Sequence, residues 1–407
     1  MMQILKMAFR DLGRNRRRSF FSALAVGVGL ALLILMASVI EGEMGGAIEN
    51  AIKLQSGHIQ IRAATYDENK SSLKWEDLVA NPDEIANQIA TKFDQVKAAT
   101  PRLYASGFLS SGNQSAGAKI TGIDPLSPAS DPYREGVISG NYLSPDDRDA
   151  VLIGKPIAEK LKLKVGDNVG LSLNTADGNV QEQTFIVKGI YTTNTYGFDS
   201  STVFLPLAKA QALTRTENHA STIFILLKDT AMTDAVIPAL SVSSNLEIKS
   251  WKDLNSLFVE WEAMAQSYIG IFYMIILAIT ASVIINTLIM SVYERTREIG
   301  VLSAIGMRGN RILTLFLAES SMLAVGGVII GLIVGVLSTL YFNVNGFYIG
   351  NMGLSGIVIT DTIYAKLTMD NIINLTILTF VVTLLAGLYP AVMASRMQPV
   401  EALRAEK

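Results

Sequence analysis

The chain predicts a membrane protein with four transmembrane helices and one large α+β domain set between helices 1 and 2. Three observations predict it. Half of the 407 residues are hydrophobic and only 17% are charged, and the mean hydropathy is +0.35, which is too apolar for an ordinary soluble protein. Four apolar runs, 19–40, 269–292, 312–342 and 372–394, are each long enough, at about 1.5 Å per residue, to cross a hydrocarbon core of roughly 30 Å. Between the first two, residues 57–250 return to the composition of a water-soluble domain.

The elements follow in chain order. Residues 1–18 carry Lys6, Arg10, Arg14, Arg16, Arg17 and Arg18 against one acid, Asp11. Ile4, Leu5, Ala8, Phe9 and Leu12 recur at helical spacing, so an interfacial helix with a basic face toward anionic lipid is expected. A nucleic-acid arm is the competing reading, and the adjoining span argues against it. The run 19–40 reads as an uncleaved anchor, being long for a signal peptide. Its Ala23, Gly27 and Ala31, four apart, allow close helix approach in lipid, within the chain or between two copies. Met44, Ala47, Ile48 and Ala51 continue the pattern as a stalk over 41–56, which Gly57 ends.

Within the soluble region, His58-Ile59-Gln60-Ile61-Arg62 alternates as a half-buried strand. Asn81-Pro82-Asp83 starts a helix with an apolar face of Ile85, Ala86, Ile89 and Phe93. Strands are expected at 103–109, 222–227 and 246–251, with a helix over 232–240. Together they suggest two βαβ-like units, in 57–112 and 221–250, separated by an insert. The insert, 113–220, is rich in short strands and turns. Asp146-Asp147-Arg148-Asp149 reads as a solvated turn, because a calcium loop needs more ligands at defined spacing. Leu254, Leu257, Trp261, Met264 and Tyr268 step by three and four, a coiled-coil-like seam over a second stalk, 251–268. That seam is expected to run unbroken into the second span.

The most informative stretch is 293–311, a charged segment between the second and third spans. It reads Glu294-Arg295-Thr296-Arg297-Glu298, then Ile299-Gly300-Val301-Leu302-Ser303-Ala304-Ile305-Gly306-Met307. Ile299, Leu302 and Ile305, three apart, predict a short helix with an apolar side. Such a helix could dock into another protein or lie on the lipid surface. The third span repeats small residues at Gly327, Gly331 and Gly335. It holds Glu319 near one end, where Arg311 or Arg308 is the expected partner. A glycine-rich loop, 343–371, precedes the fourth span, and the tail is 395–407.

The motif from Glu294 to Gly300 followed by Ala304-Ile305-Gly306 resembles the loop of the FtsX-like permease family, which includes MacB-type and lipoprotein-releasing (Lol-type) ABC transporter permeases. The resemblance extends over nearly the whole chain. It implies that 57–112 and 221–250 form a porter-like domain around the β-rich insert. It also implies that 293–311 is a coupling segment, seated in a groove of a separate ATPase subunit. Glu294, Arg295, Arg297, Glu298, Ile299, Leu302, Ala304, Ile305, Gly306 and Met307 are then the coupling residues. By analogy with Lol-type relatives, Met36, Ile40, Met44, Trp261, Met264 and Tyr268 would line a cargo entrance, where methionine and aromatic side chains suit a variable apolar ligand. Plain packing is the competing reading of that stripe.

Charge agrees with this topology. Segments 1–18, 293–311 and 395–407 hold thirteen Lys/Arg and five Asp/Glu, leaving twenty-one and thirty-one elsewhere. The short loops are therefore +8 and the remainder −10, as expected if both termini are cytoplasmic and the large domain is extracytoplasmic in a bacterial inner membrane. The acidic remainder argues against nucleic acid. There is no cysteine, and the two histidines, His58 and His219, are far apart, so neither a metal nor a catalytic site is expected. No phosphate-cradling Gly-x-x-x-x-Gly-Lys-Ser/Thr loop is present; the resemblance implies that ATP and Mg belong to a separate partner ATPase, and the chain itself is read as non-enzymatic. The function expected is that of a permease subunit in an ATP-driven, mechanotransmission-type ABC transporter. Its cargo would be extracytoplasmic or in the outer leaflet, a lipoprotein or another amphiphile. Expected partners are two ATPase copies, a second permease copy or a paralogue, membrane lipids, and a lipoprotein or periplasmic adaptor. The alternative is an FtsX-like signalling permease that controls a cell-wall hydrolase.

Overall fold

A computed structural model describes residues 2–67, 73–240, 243–348, 361–398 and 402; among these, nothing is described of the side chains of 2–5, 257, 258, 262 and 263. The chain forms two compact units. One comprises Met1–Met44, Glu262–Phe347 and Ile363–Lys407; the other comprises Gly45–Trp261 with Tyr348–Thr362.

The first unit is helical. Among the described residues, four helices are long and apolar enough to cross a membrane, within Arg16–Ser56, Val259–Glu294, Gly309–Asn345 and Met369–Ser395. The first and third meet through small residues. A Cβ added at Gly331 would lie 2.7 Å from Leu30 Cβ and 2.8 Å from the Gly27 carbonyl oxygen, and one at Gly335 would lie 3.2 Å from Ala31 Cα. The small-residue stripes of 23–31 and 327–335 therefore face each other within one chain, where absent side chains let the backbones close. The second helix meets the first at Ser22, whose Oγ lies 2.9 Å from Thr287 Oγ1. The fourth meets the third where Ser320 Oγ donates to the Thr383 carbonyl at 3.1 Å. The first helix is the hub: half of its most apolar window is buried, against 17% for the second helix. Near Ser38 its backbone takes a further partner. The Ser38 carbonyl accepts from Lys366 N at 2.8 Å, and the Tyr364 carbonyl lies where a side chain on Gly42 would have to sit.

In the second unit ten strands form one sheet system. They are β1 (Ile59–Ala63), β2 (Val96–Ser111), β3 (Gln114–Ile123), β4 (Val137–Gly140), β5 (Ala150–Gly154), β6 (Asn168–Asn174), β7 (Val180–Tyr191), β8 (Thr202–Pro206), β9 (Thr222–Leu227) and β10 (Leu246–Ser250). At one end the order is β10-β1-β9-β2, with every neighbouring pair antiparallel. The βαβ expectation is thus not confirmed as parallel pairing. β1 and β2 flank β9 instead of each other, and β9 and β10 flank β1, because each strand of one unit separates those of the other. The helix Pro82–Lys92 covers this sheet with Ala86 and Ile89, which pack among Ile59, Ile61, Ile223 and Ile225. The expected helix over 232–240 is shorter, Thr233–Val236 between two 3₁₀ turns, and Pro238 lies in the second of these.

β2 is the strand that joins the two halves. Its first residues, from Val96 to Arg102, pair with β9, and its later ones, from Leu103, pair with β3 and β6. From there the pairing runs β2-β3-β8-β5-β7-β6 and back to β2, a six-stranded barrel-like closure. Inside it lie Leu103, Leu109, Ile120, Val151, Ile153, Phe185, Val187 and Val203, all buried. Closure removes unpaired strand edges. Beside the barrel Tyr133, Tyr191, Phe198 and Phe204 make an aromatic cluster, with the Tyr133 and Phe204 ring centroids 4.1 Å apart.

Arg102, at the change of partners in β2, is fully buried. It donates to the carbonyls of Leu54 at 3.2 Å and Ala129 at 3.1 Å, and its guanidinium lies 3.4 Å from the Phe224 ring centroid. Tyr133 Oη also donates to the Leu54 carbonyl, at 2.8 Å. Leu54 belongs to a π-helical turn, Ala51–Ser56, that ends at Gly57 with φ +65. A buried guanidinium and a phenol thus satisfy a carbonyl at a helix C-terminus, where cations are favoured.

The second stalk differs from its expected form. Trp251–Leu254 is a separate turn closed by a capping box between Ser250 and Asp253, and Asn255 interrupts it before the long helix Ser256–Glu294 begins. Leu254 is therefore not on that helix, and the Leu257 side chain lies outside the described residues.

Candidate functional site

The site is built where the second and third apolar helices connect. The second ends at Glu294, and Arg295, with φ −110 and ψ 12, breaks the helical path. A nine-residue helix, Thr296–Ala304, follows; Gly306, at φ +94, reverses the chain, and the third helix starts at Gly309. That positive φ suits glycine, which has no Cβ to clash. Ile299 is buried among Val292, Ile312 and Phe316, with Met307 packed beside them. Gly300 is also buried, Leu302 is half-buried, and Arg297, Val301, Ala304, Ile305 and Gly306 are exposed.

The expected single apolar side formed by Ile299, Leu302 and Ile305 is therefore not what forms. Steps of three on a 3.6-residue period drift around the helix, and Ile305 lies beyond its last residue. Ile299 points inward, while Ile305 is 75% exposed. The outward apolar pair is Val301 and Ile305.

The charges of the segment are mostly taken up within the unit. Arg295 uses all three guanidinium nitrogens on three carboxylates. Its Nη1 donates to Glu319 at 2.6 Å, its Nη2 to Asp11 at 2.6 Å and its Nε to Glu298 at 3.2 Å. Glu298 also accepts from Arg14 Nη1 at 2.8 Å. Glu294 accepts from Arg18 at 2.5 Å and from Asn15 Nδ2 at 3.3 Å. The partner of Glu319 is thus Arg295, not Arg308 or Arg311. Residue 295 is held at the helix break against Glu319, whereas 308 and 311 lie at the start of the same helix as Glu319. Burial pulls the Arg295 guanidinium down, but Glu319, Asp11 and Glu298 outweigh it and hold it above its ordinary value. The hydrogen bond from Arg14 holds the Glu298 carboxyl below its ordinary range. Asp11, Arg14 and Arg18 belong to the N-terminal helices Met2–Arg14 and Arg16–Asn50, and the sequence reading did not connect them to this segment. The signal available was a lone acid in a basic run beside a charged loop.

An open cavity of about 1410 Å³ adjoins the segment, lined by Met7, Phe9, Arg10, Arg297, Val301 and Leu302 among others. The residues expected at a cargo entrance are spread along two helices. Met36, Ile40 and Met44 are half-buried on the first; Trp261, Met264 and Tyr268 are about half exposed on the second.

His58 is a packed histidine. Its Nδ1 accepts from Leu227 N at 3.0 Å, its Nε2 lies 3.0 Å from Thr230 Oγ1, and burial lowers its pKa. Asp147, in the acidic turn, accepts from Ser144 N and Lys188 Nζ. Among the described residues no group of three or more His, Cys, Asp or Glu side chains is placed to hold a metal ion. Of the tail, 399–401 and 403–407 lie outside the described residues.

The chain is similar to known proteins in both of its parts. Residues 270–399 match the FtsX-like permease C-terminal model, and residues 19–241 match the MacB-like periplasmic core domain. The chain belongs to the family with a MacB-like periplasmic core domain, here followed by an FtsX-like permease C-terminal domain. Among individual relatives, it is 24% identical over 430 residues to the lipoprotein-releasing system transmembrane protein LolC of Neisseria meningitidis, with 98% of each chain covered. It is also 24% identical to the macrolide export ATP-binding/permease protein MacB of Chlorobium luteolum, covering 99% of this chain and 60% of that one. The chain therefore spans less than two thirds of this MacB relative. The crystal structure of the periplasmic region of MacB from Actinobacillus actinomycetemcomitans aligns with 52% of this chain and 96% of its own, at 15% identity and a TM-score of 0.34.

Proposed function

We propose that this chain is the permease subunit of an ATP-driven ABC transporter of the mechanotransmission kind, acting on a lipoprotein or another amphiphile outside the cytoplasmic membrane. Both termini and helix 296–304 face the cytoplasm, and the unit around residues 57–250 faces outward. Two copies of an ATPase supply the energy, and a second permease copy or a paralogue completes the assembly. The observation that carries the reading is helix Thr296–Ala304, set between two apolar helices with Val301 and Ile305 turned outward. An exposed apolar pair at a chain reversal is suited to a partner's groove, because burying it there gains about 25 cal/mol per Å². Motion of the ATPase pair loads this helix, and the apolar helices on either side of it carry the load. The relatives named for lipoprotein release and for macrolide export support a cargo that is at least partly apolar.

The test is purification of the tagged full chain from native membranes, with mass spectrometry of what accompanies it. An ATPase should be present with the native chain and lost with Ile305→Asp. No ATPase in either sample overturns the reading. A co-purifying cell-wall hydrolase in place of a lipoprotein would replace transport by signalling.

A further inference from the structure

We propose that Arg295 is a positioning residue that fastens helix 296–304 to two other elements at once, the N-terminal helix and the third apolar helix, and so makes the N-terminal helix part of the apparatus that receives the partner's motion. This rests on the permease reading above and deepens it.

The argument begins with geometry. Arg295 sits at the break between two helices, with φ −110 and ψ 12. Its three nitrogens reach carboxylates from three separate segments, Asp11, Glu298 and Glu319, at 2.6, 3.2 and 2.6 Å. A planar fork presents donors from three separate nitrogens in fixed directions, whereas the three donors of a lysine ammonium sit on one nitrogen at the end of a flexible stem. The side chains are largely sequestered, with 12% of Arg295, 11% of Asp11 and 3% of Glu319 exposed. Buried ion groups of this kind add little stability over apolar side chains of the same size, but removing one member is costly. Their effect is to admit a single arrangement. Arg14 to Glu298 and Arg18 to Glu294 repeat the tie at the rim. The N-terminal helix also packs directly on the third, with Ala8 buried against Leu315 and Ala318. A push on Val301 or Ile305 is therefore passed by Arg295 to Glu319 and to Asp11 together.

The consequence for the partner is equally specific. Arg295 is engaged inside the unit and Glu294 and Glu298 are paired at its rim, so the exposed surface offered to the ATPase is chiefly Arg297, Val301, Ala304 and Ile305.

The chain has no cysteine, which makes a labelling test clean. Ser291 is buried beneath the network, in a small cleft lined by Asp11, Arg14, Arg18, Glu294 and Arg295. Ser291→Cys in the full chain, in inside-out membrane vesicles, should react slowly with a membrane-impermeant maleimide. Adding Arg295→Ala should speed the reaction at least about tenfold, and Arg295→Lys should recover only part of the protection. Ser320→Cys, fully buried between the third and fourth helices, should stay unreactive in both backgrounds. Unchanged labelling of the Ser291→Cys thiol overturns the proposal. Labelling at both positions overturns it too, since the effect would then be general opening. The assay needs no ATPase, so it stands apart from the permease reading: Ile305→Asp should release the ATPase while leaving the Ser291→Cys thiol protected.

Discussion

The two units reach close packing with a different balance of small and large residues. In the helical unit the tight contacts are made where side chains are missing. Gly327 and Gly331 let the first helix approach so closely that a Cβ at Gly327 would lie 2.5 Å from Val26 Cβ. In the strand-rich unit glycines such as Gly107 and Gly122 also sit against their neighbours, but large side chains fill the core, with Phe185, Phe204, Phe224, Tyr133 and Tyr191 all fully buried. The difference follows from the solvent each is read to face. Water rewards burial of apolar area. Lipid gives helices no such reward, so shape, small residues and a few interhelical hydrogen bonds decide which helices pair. Exposed apolar residues recur along the long helices. Ile271, Ile275, Ile279, Ile329, Ile333 and Leu337 are each at least half exposed in the helical unit.

If the comparison holds, substitutions of opposite kinds should damage the two units. The largest effect is expected from truncation in the strand-rich unit. Phe204→Ala removes the ring at the centre of the aromatic cluster and should cost about 3–5 kcal/mol. Hydrogen exchange on the full chain in detergent should show β5, β7 and β8 losing protection while the apolar helices keep theirs. Equal loss in both units would break the distinction.

The next effect runs the other way, by addition of a methyl group. Gly331→Ala places a Cβ against Leu30 and the Gly27 carbonyl and should cost about 1–3 kcal/mol by overpacking. Gly326→Ala meets nothing nearer than Ala23 Cβ at 3.6 Å and should be silent. Trypsin resistance of the full chain in membranes compares the two. If Gly326→Ala is the more harmful, the seam has been misplaced.

Much of this was legible in sequence, and what was not has a physical reason. Apolar length and the return to alternating patterns mark the four helices and the soluble region, because both are local periodicities. Pairing is not local. Nothing in 96–111 says that one strand serves both halves of the sheet system, and nothing near 51–56 says that Arg102 and Tyr133 close that turn. The stripes at 23–31 and 327–335 announce close contact without naming the partner, so a seam between copies and one within the chain read alike. The coupling motif was found from its charges, yet most of those charges face Asp11, Arg14, Arg18 and Glu319. Spacing groups Ile305 with Ile299 and Leu302, yet Ile299 faces inward while Ile305 faces outward with Val301.

The smallest effect sharpens the comparison through two carboxylates, both held below their ordinary range. Glu298 is held low chiefly by the Arg14 hydrogen bond, and Asp253 chiefly by hydrogen bonds from Ser250 in the capping box. For a lowered carboxyl the sign is the same in both cases: the contribution is present above the ordinary carboxylate pKa and is lost as pH falls through the lowered folded value. Salt separates them. Arg14 and Glu298 are 69% and 43% exposed, so their pairing is a screened ion pair, whereas the cap of Ser250 on Asp253 N is short-ranged. At neutral pH, raising salt from about 0.05 to 0.5 M, over which the Debye length shrinks below ~5 Å, should therefore increase exchange of the amides in 296–304 and leave those of 251–254 unchanged. Ser250→Ala should raise exchange in 251–254 at every salt concentration, by the equivalent of about 1 kcal/mol. If the two stretches respond to salt alike, helix 296–304 is not held by its charges, and the distinction between the units weakens at this point.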